Sequence, residues 1–179
     1  MKEIFEKQNE LAEKFHQIEK ANGYEPLAYP VDLQSRAGQD RMRMFYAFFC
    51  EEVAEANAAS DEEFPMELSD ILHFATEIAL MAGVTSSDVE FHAKMDSMDS
   101  VPSEYGILDV LCNMGMAMNQ MKAKPWKNQV KPTDEAALKS YVSRAIHELN
   151  CVIRGFDLDP KELYFMKHQV NEQRIADGV

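Results

Sequence analysis

Four carboxylates stand at spacings that suit a divalent cation: Glu52 and Glu55, then Glu67 and Asp70. Residues three apart share one face of an α-helix, so each pair points in one direction. Two helices joined by a short break pack antiparallel, which lets the pairs converge. Without a cation, four such groups would repel and raise one another's pKa. An all-oxygen ligand set suits Mg2+, or Mn2+, rather than Zn2+. The bland alternative is a solvated acidic face, and one ExxE alone carries no weight. Here, however, Glu52 and Glu55 follow an aromatic run and Asp70 sits against the apolar ILHF stretch. An acid in a core-like pattern is costly unless it is paired or metal-bound.

Near the C-terminus, Lys167, Asn171 and Arg174 are spaced four and then three apart and share a helical face. A point charge, a neutral donor and a planar fork suit a polyphosphate. The basic end of a helix, favoured by the macrodipole, is the plainer reading. Trp126, flanked by Lys124 and Lys127, could stack on a base or anchor a core beside a solvated loop. Met114, Met116, Met118 and Met121 read as core or dimer interface. His73 reads as a partner to a metal ligand or as a satisfied buried histidine, and His16, His92, His147 and His168 form no cluster in the sequence.

The elements that must position these groups are helical. The periodicity predicts helices over residues 2–22, 33–60, 66–82, 87–96, 104–123 and 134–154 and a last one opening at Pro160 behind an Asp159 cap. Ser86, Ser87 and Asp88 are the caps expected for the fourth. Gly23, Gly83 and Gly155 mark helix ends, and DSMDSVPSEYG and KPWKNQVKP are the most loop-like stretches. The expected fold is one all-α domain over 1–179, a helical bundle of two degenerate halves, about 1–97 and 104–179. IALMAG-VTSSDVEFHAK and CVIRG-FDLDPKELYFMK follow the same plan in the two halves. Ser143 and Arg144 stand in the second half near where acids would be, so only the first half is expected to bind metal.

The 179 residues carry 31 acidic and 18 basic side chains, a formal charge of −13. That balance argues against general nucleic-acid binding. Cys50, Cys112 and Cys151 are widely spaced and read as buried, reduced thiols. No apolar run approaches membrane-spanning length and the first residues lack an apolar leader core, so a cytoplasmic protein with no membrane partner is expected.

EEVAE, eleven residues and then ELSD resemble the EExxE–ExxD signature of the all-α nucleoside triphosphate pyrophosphatases. These include the MazG-like proteins and the dimeric dUTPases and dCTPases of phages, trypanosomatids and some bacteria. DILHF and KHQVNEQRIADG, with its Lys-x3-Asn-x2-Arg-x3-Gly ending, are similar to the dimeric dUTPase branch, as is the tandem-half plan. The resemblance covers most of the chain from Leu33 onward. It implies a homodimer that hydrolyses a deoxynucleoside triphosphate to the monophosphate and pyrophosphate. Glu52, Glu55, Glu67 and Asp70 would hold Mg2+, with Glu52 activating water for attack on the α-phosphorus. Lys167, Asn171 and Arg174 would bind the outer phosphates. Asn22, Gln8 and Gln17 are first-helix amides that could read a base edge, as the first helix of that family does.

The chain departs from the dimeric dUTPases where an aromatic-Lys-aromatic-Trp segment normally follows the first acidic pair. AASDEEF stands there instead, which leaves the base open between dUTP, dCTP and another substrate. The competing readings are a pyrophosphatase of another or modified nucleotide, such as one in a phage base-modification pathway, and a non-catalytic helical dimer module.

Overall fold

The computed structural model describes residues 1–99, 106–124, 126 and 132–178. Seven helices and no strand are found among them: α1 Lys2–Ala21, α2 Arg36–Ala58, α3 Phe64–Ala82, α4 Ser86–Asp99, α5 Ile107–Gln120, α6 Glu135–Gly155 and α7 Pro160–Ala176. The chain is an all-α helical bundle. No single described helix is long and apolar enough to cross a membrane.

α3 is the central element. Leu68, Ile71, Leu72, Ala75, Ile78 and Ala79 are fully buried, and the helix packs against α1, α2, α6 and α7. A helix apolar on most of its circumference must be surrounded in this way. α2 contributes Met42 and Phe49 to the same core, α5 Met114, and α6 Val142, Ile146 and Leu149. Of the methionine stripe, Met114, Met118 and Met121 are buried, while Met116 projects outward.

Local chemistry sets the helix ends. α2 begins at Arg36, three residues later than the periodicity predicts, because the Ser35 hydroxyl accepts from the Gly38 amide at 3.0 Å. Gly38 is obligatory there, since a Cβ would lie 2.1 Å from the Asp32 carbonyl oxygen. α4 is capped not by a serine but by Thr85. Its amide and hydroxyl both donate to Asp88 at 2.7 Å, closing a reciprocal box. Asp159 caps α7 as expected, accepting from the Lys161 and Glu162 amides at 2.9 Å, which steadies the helix carrying Lys167 by about 1 kcal/mol.

The cysteines correct the sequence reading: Cys50 is half-buried, while Cys112 and Cys151 are exposed, all three as free thiols. A helical pattern places a residue on an element but does not always say which face it takes, and these two fall on outer faces of α5 and α6. On α6, Ser143 donates to the Lys139 carbonyl at 2.8 Å and Arg144 faces Glu148 at 3.6 Å. The expected loops at DSMDSVPSEYG and KPWKNQVKP fall largely outside the described residues, Lys127 included.

Candidate active site

Four helices each turn one stripe of side chains toward a common cleft of about 930 Å3. On α3 the stripe is Glu67, Asp70, Phe74 and Glu77; on α2 it is Arg41, Phe45, Phe48, Glu52 and Glu55. α1 adds Gln8, Leu11, Phe15 and Glu19, with Asn22 at its C-cap, and α7 adds Lys167, Asn171 and Arg174. Every stripe steps by three or four residues, the spacing that keeps side chains on one helix face.

The acids gather at one end. One oxygen each from Glu52, Glu67 and Asp70 lie within 4.8 Å of one another. Glu55 lines the cleft but stays outside this trio, one turn nearer the exposed end of α2. Burial pushes Glu52 up to about 7, and the charges of Asp70, Glu55 and Glu67 push it the same way. Glu67 is also raised, by burial and then by Asp70. Burial and the gathered negative charge together hold back ionisation, and a bound cation would relieve the repulsion. The three oxygen donors fit a hard divalent ion.

Lys167 is placed differently from the reading of the sequence. Its ammonium does not project free into the cleft but donates to Asp70 Oδ2 at 2.7 Å. Both side chains are largely enclosed, 11% and 15% exposed. Asn171 and Arg174 follow it along the cleft wall, and Arg174 makes no ion pair among the described residues.

The opposite end carries a polar network that the sequence did not disclose. Glu77, buried on α3, accepts from Gln8 Nε2 at 2.7 Å and from the Tyr29 hydroxyl at 2.5 Å. Tyr164 donates to Gln8 Oε1 at 2.9 Å. Burial raises the Glu77 pKa despite the two donors. Gln8 is thus committed to structure rather than to a base edge, and Gln17 is exposed and does not line the cleft. Asn22 does line it. Beside it Arg41 pairs with Glu19 at 2.5 Å and lies 4.7 Å over the Phe45 ring. Arg41 Nε, Glu19 Oε2 and His16 Nε2 are buried without partners. These cleft residues were legible only in retrospect. Arg41 continues the α2 stripe back from Glu52 through Phe48 and Phe45, and Glu77 continues the α3 stripe forward from Asp70 through Phe74.

His73 sits between the two ends. Its Nδ1 lies 3.0 Å from the Ser69 carbonyl, so Nδ1 carries the proton and Nε2 is left as an acceptor. Burial lowers its pKa to about 4, keeping the ring neutral. Nε2 has no partner, so His73 is only half satisfied. It stacks on Tyr164 at 4.1 Å, with His168 on that ring at 5.7 Å, a grouping of histidines that spacing did not reveal.

Trp126 does not take part. It is 76% exposed, neither a core anchor nor a wall of the cleft. Gln39 accepts from the Ala123 amide and donates to Thr133 Oγ1, while Arg43 donates to the Ala123 carbonyl, so these residues fasten both ends of the Trp126 loop. Each is two residues from Arg41, about 200° around the helix, so Ala123 and Thr133 are held on the face of α2 turned away from the cleft.

No family model matches the chain. No curated protein and no solved structure matches it either. What the cleft does must therefore be argued from its own side chains.

Proposed function

We propose that the chain hydrolyses a deoxynucleoside triphosphate, with Mg2+, to the monophosphate and pyrophosphate, as the all-α nucleoside triphosphate pyrophosphatases it resembles do. The observation that carries this reading is the polarity of a single cleft. Three clustered carboxylates, with Lys167 bonded to one of them, mark one end, Asn171 and Arg174 line the same cleft, and an aromatic and hydrogen-bonding network lies further along it. Its volume of about 930 Å3 suits a nucleotide.

Glu52, Glu67 and Asp70 would hold the ion, with Glu55 within reach of the same charge. When bound, it supplies an acidified water and neutralises the phosphate oxygens. Glu52, one of the clustered trio, is the base that takes the proton from the attacking water, the role the resemblance gives it. Arg174 and Asn171 hold the outer phosphates, which transfer chemistry needs fixed in line. Phe45, Phe48 and Phe74 exclude water from the middle of the cleft. Asn22 and the Arg41–Glu19 pair face the base. The resemblance of DILHF and of the C-terminal motif to the dimeric enzymes favours dUTP and dCTP. The homodimer belongs to the same proposal. The exposed Phe15, Tyr24 and Met44 are its surface, and light scattering should then give twice the 20.4 kDa chain mass.

The test is a panel of dUTP, dCTP, dTTP, dGTP and dATP with a pyrophosphate readout, with Mg2+ and with chelator. Mg2+-dependent release from one or two of them supports the proposal. No release from any would overturn it, leaving a pyrophosphatase of another or modified nucleotide or a non-catalytic helical module.

A further inference from the structure

We propose that Lys167 is the resident counter-cation of the acidic trio and that a divalent ion displaces it from Asp70, freeing the ammonium for the phosphates. The inference rests on the proposed function, and it adds a coupling between metal entry and phosphate binding that the function alone does not require.

The site already holds a cation of its own. Lys167 Nζ lies 2.7 Å from Asp70 Oδ2, and Asp70 also belongs to the trio whose oxygens lie within 4.8 Å. The pair is largely enclosed, so solvent screens it poorly. A divalent ion among those oxygens would sit within a few ångströms of the ammonium, and like charges that close repel strongly. One of the two must leave. Asp70 has a short side chain on the central helix. Lys167 has a flexible four-carbon stem and a wall of the same cleft to move along, toward Asn171 and Arg174.

The helix itself need not shift. Its start is fixed by the Asp159 cap and its first turns by Tyr164, which bonds Gln8. The movement is thus confined to one side chain. A second, independent observation lies beside the trio. His73, one turn beyond Asp70, belongs to the lining of the same cleft, is 6% exposed, and leaves its buried Nε2 without a partner.

Exchange makes the two ligands help each other. Metal releases the group that binds phosphate, and phosphate stabilises the ammonium in its displaced position, which favours metal. Such coupling is reciprocal by thermodynamic necessity. An empty cleft would therefore bind free metal weakly, and full occupancy would require the nucleotide.

Two measurements on the full chain test this. In the first, amine acylation followed by mass spectrometry reads the reactivity of Lys167. The residue should be protected in chelator, acylated several-fold faster in saturating Mg2+, and protected again when inorganic pyrophosphate is added with Mg2+. In the second, calorimetry with Mn2+ on nucleotide-free protein should show Lys167→Met binding roughly tenfold tighter than wild type, with circular dichroism confirming its helix content. If Lys167→Met fails to fold, the acylation experiment decides alone. Acylation that Mg2+ leaves unchanged or slows overturns the exchange, as does Mn2+ affinity equal or weaker in Lys167→Met. If wild type binds neither ion even with inorganic pyrophosphate present, the exchange and the functional proposal both fall. If it binds them without freeing Lys167, only the exchange does.

Discussion

Replacing Glu52 by Gln should stabilise the metal-free protein while abolishing its activity. Glu52 is held at about 7 against an ordinary value of 4.5. Between those limits the unfolded chain has lost the proton and the folded chain still binds it, so stability falls as pH rises through that window. The gap corresponds to at most about 3 kcal/mol. The carboxyl is only partly enclosed, and solvent screening reduces this to about 1–2 kcal/mol. Glutamine keeps the shape and never ionises, so it escapes the penalty. In chelator at about pH 8, Glu52→Gln should melt roughly 3–6 °C above wild type for a chain of this size. At about pH 5, where the folded wild type keeps its proton, the difference should shrink toward zero. Added Mg2+ should raise the wild-type melting temperature and leave the variant unmoved. Thermal scans by circular dichroism at both pH values, in chelator and in Mg2+, read all of this. A variant less stable than wild type at about pH 8 in chelator, or a difference independent of pH, would refute the reasoning. The expected result would be the familiar trade between a site built for function and the stability of its fold.

Three further outcomes follow from the cleft. Tyr29→Phe removes one of the two donors to buried Glu77 and should lower stability by about 1–3 kcal/mol in denaturant titration; an unchanged midpoint would mean the Glu77 network contributes little. Arg41→Met keeps the stem over Phe45 but removes the partner of Glu19. It should raise KM for the accepted nucleotide about tenfold with kcat within about twofold, the pattern of lost uniform binding, and a fall confined to kcat would place Arg41 in the chemistry instead. Trp126→Ala should leave turnover unchanged and stability within about 0.5 kcal/mol; a large loss of turnover would put the indole back in the substrate's path.

The helices were legible because their signals are local. Leu68, Ile71, Leu72 and Ala75 recur with helical spacing, Asp159–Pro160 announces a cap, and Gly83 stops α3 in a left-handed conformation, φ 69°. The acidic trio was legible because Glu52, Glu67 and Asp70 lie on two helices joined by a short break, so local geometry nearly determines their meeting. What spacing could not supply was partnership across the bundle. Lys167 and Asp70 are 97 residues apart, and nothing local says that the lysine turns back to an acid rather than outward to phosphate. The Glu77–Gln8–Tyr164 chain joins three helices, and each member alone passes for an ordinary polar residue on an amphipathic helix. Arg41 and Glu19 were hidden for the same reason. Trp126 misled because a tryptophan between lysines looks chemical, while the decisive fact is its exposure outside the cleft lining.

The most direct test of the central claim is turnover of the accepted deoxynucleoside triphosphate, in Mg2+ and in water enriched in heavy oxygen, with mass spectrometry of both products. Metal-dependent attack on the α-phosphorus predicts the label in the monophosphate, unlabelled pyrophosphate, and neither product from Glu52→Gln or in chelator. A nucleoside diphosphate with labelled inorganic phosphate, or turnover that survives chelator and Glu52→Gln alike, would contradict it.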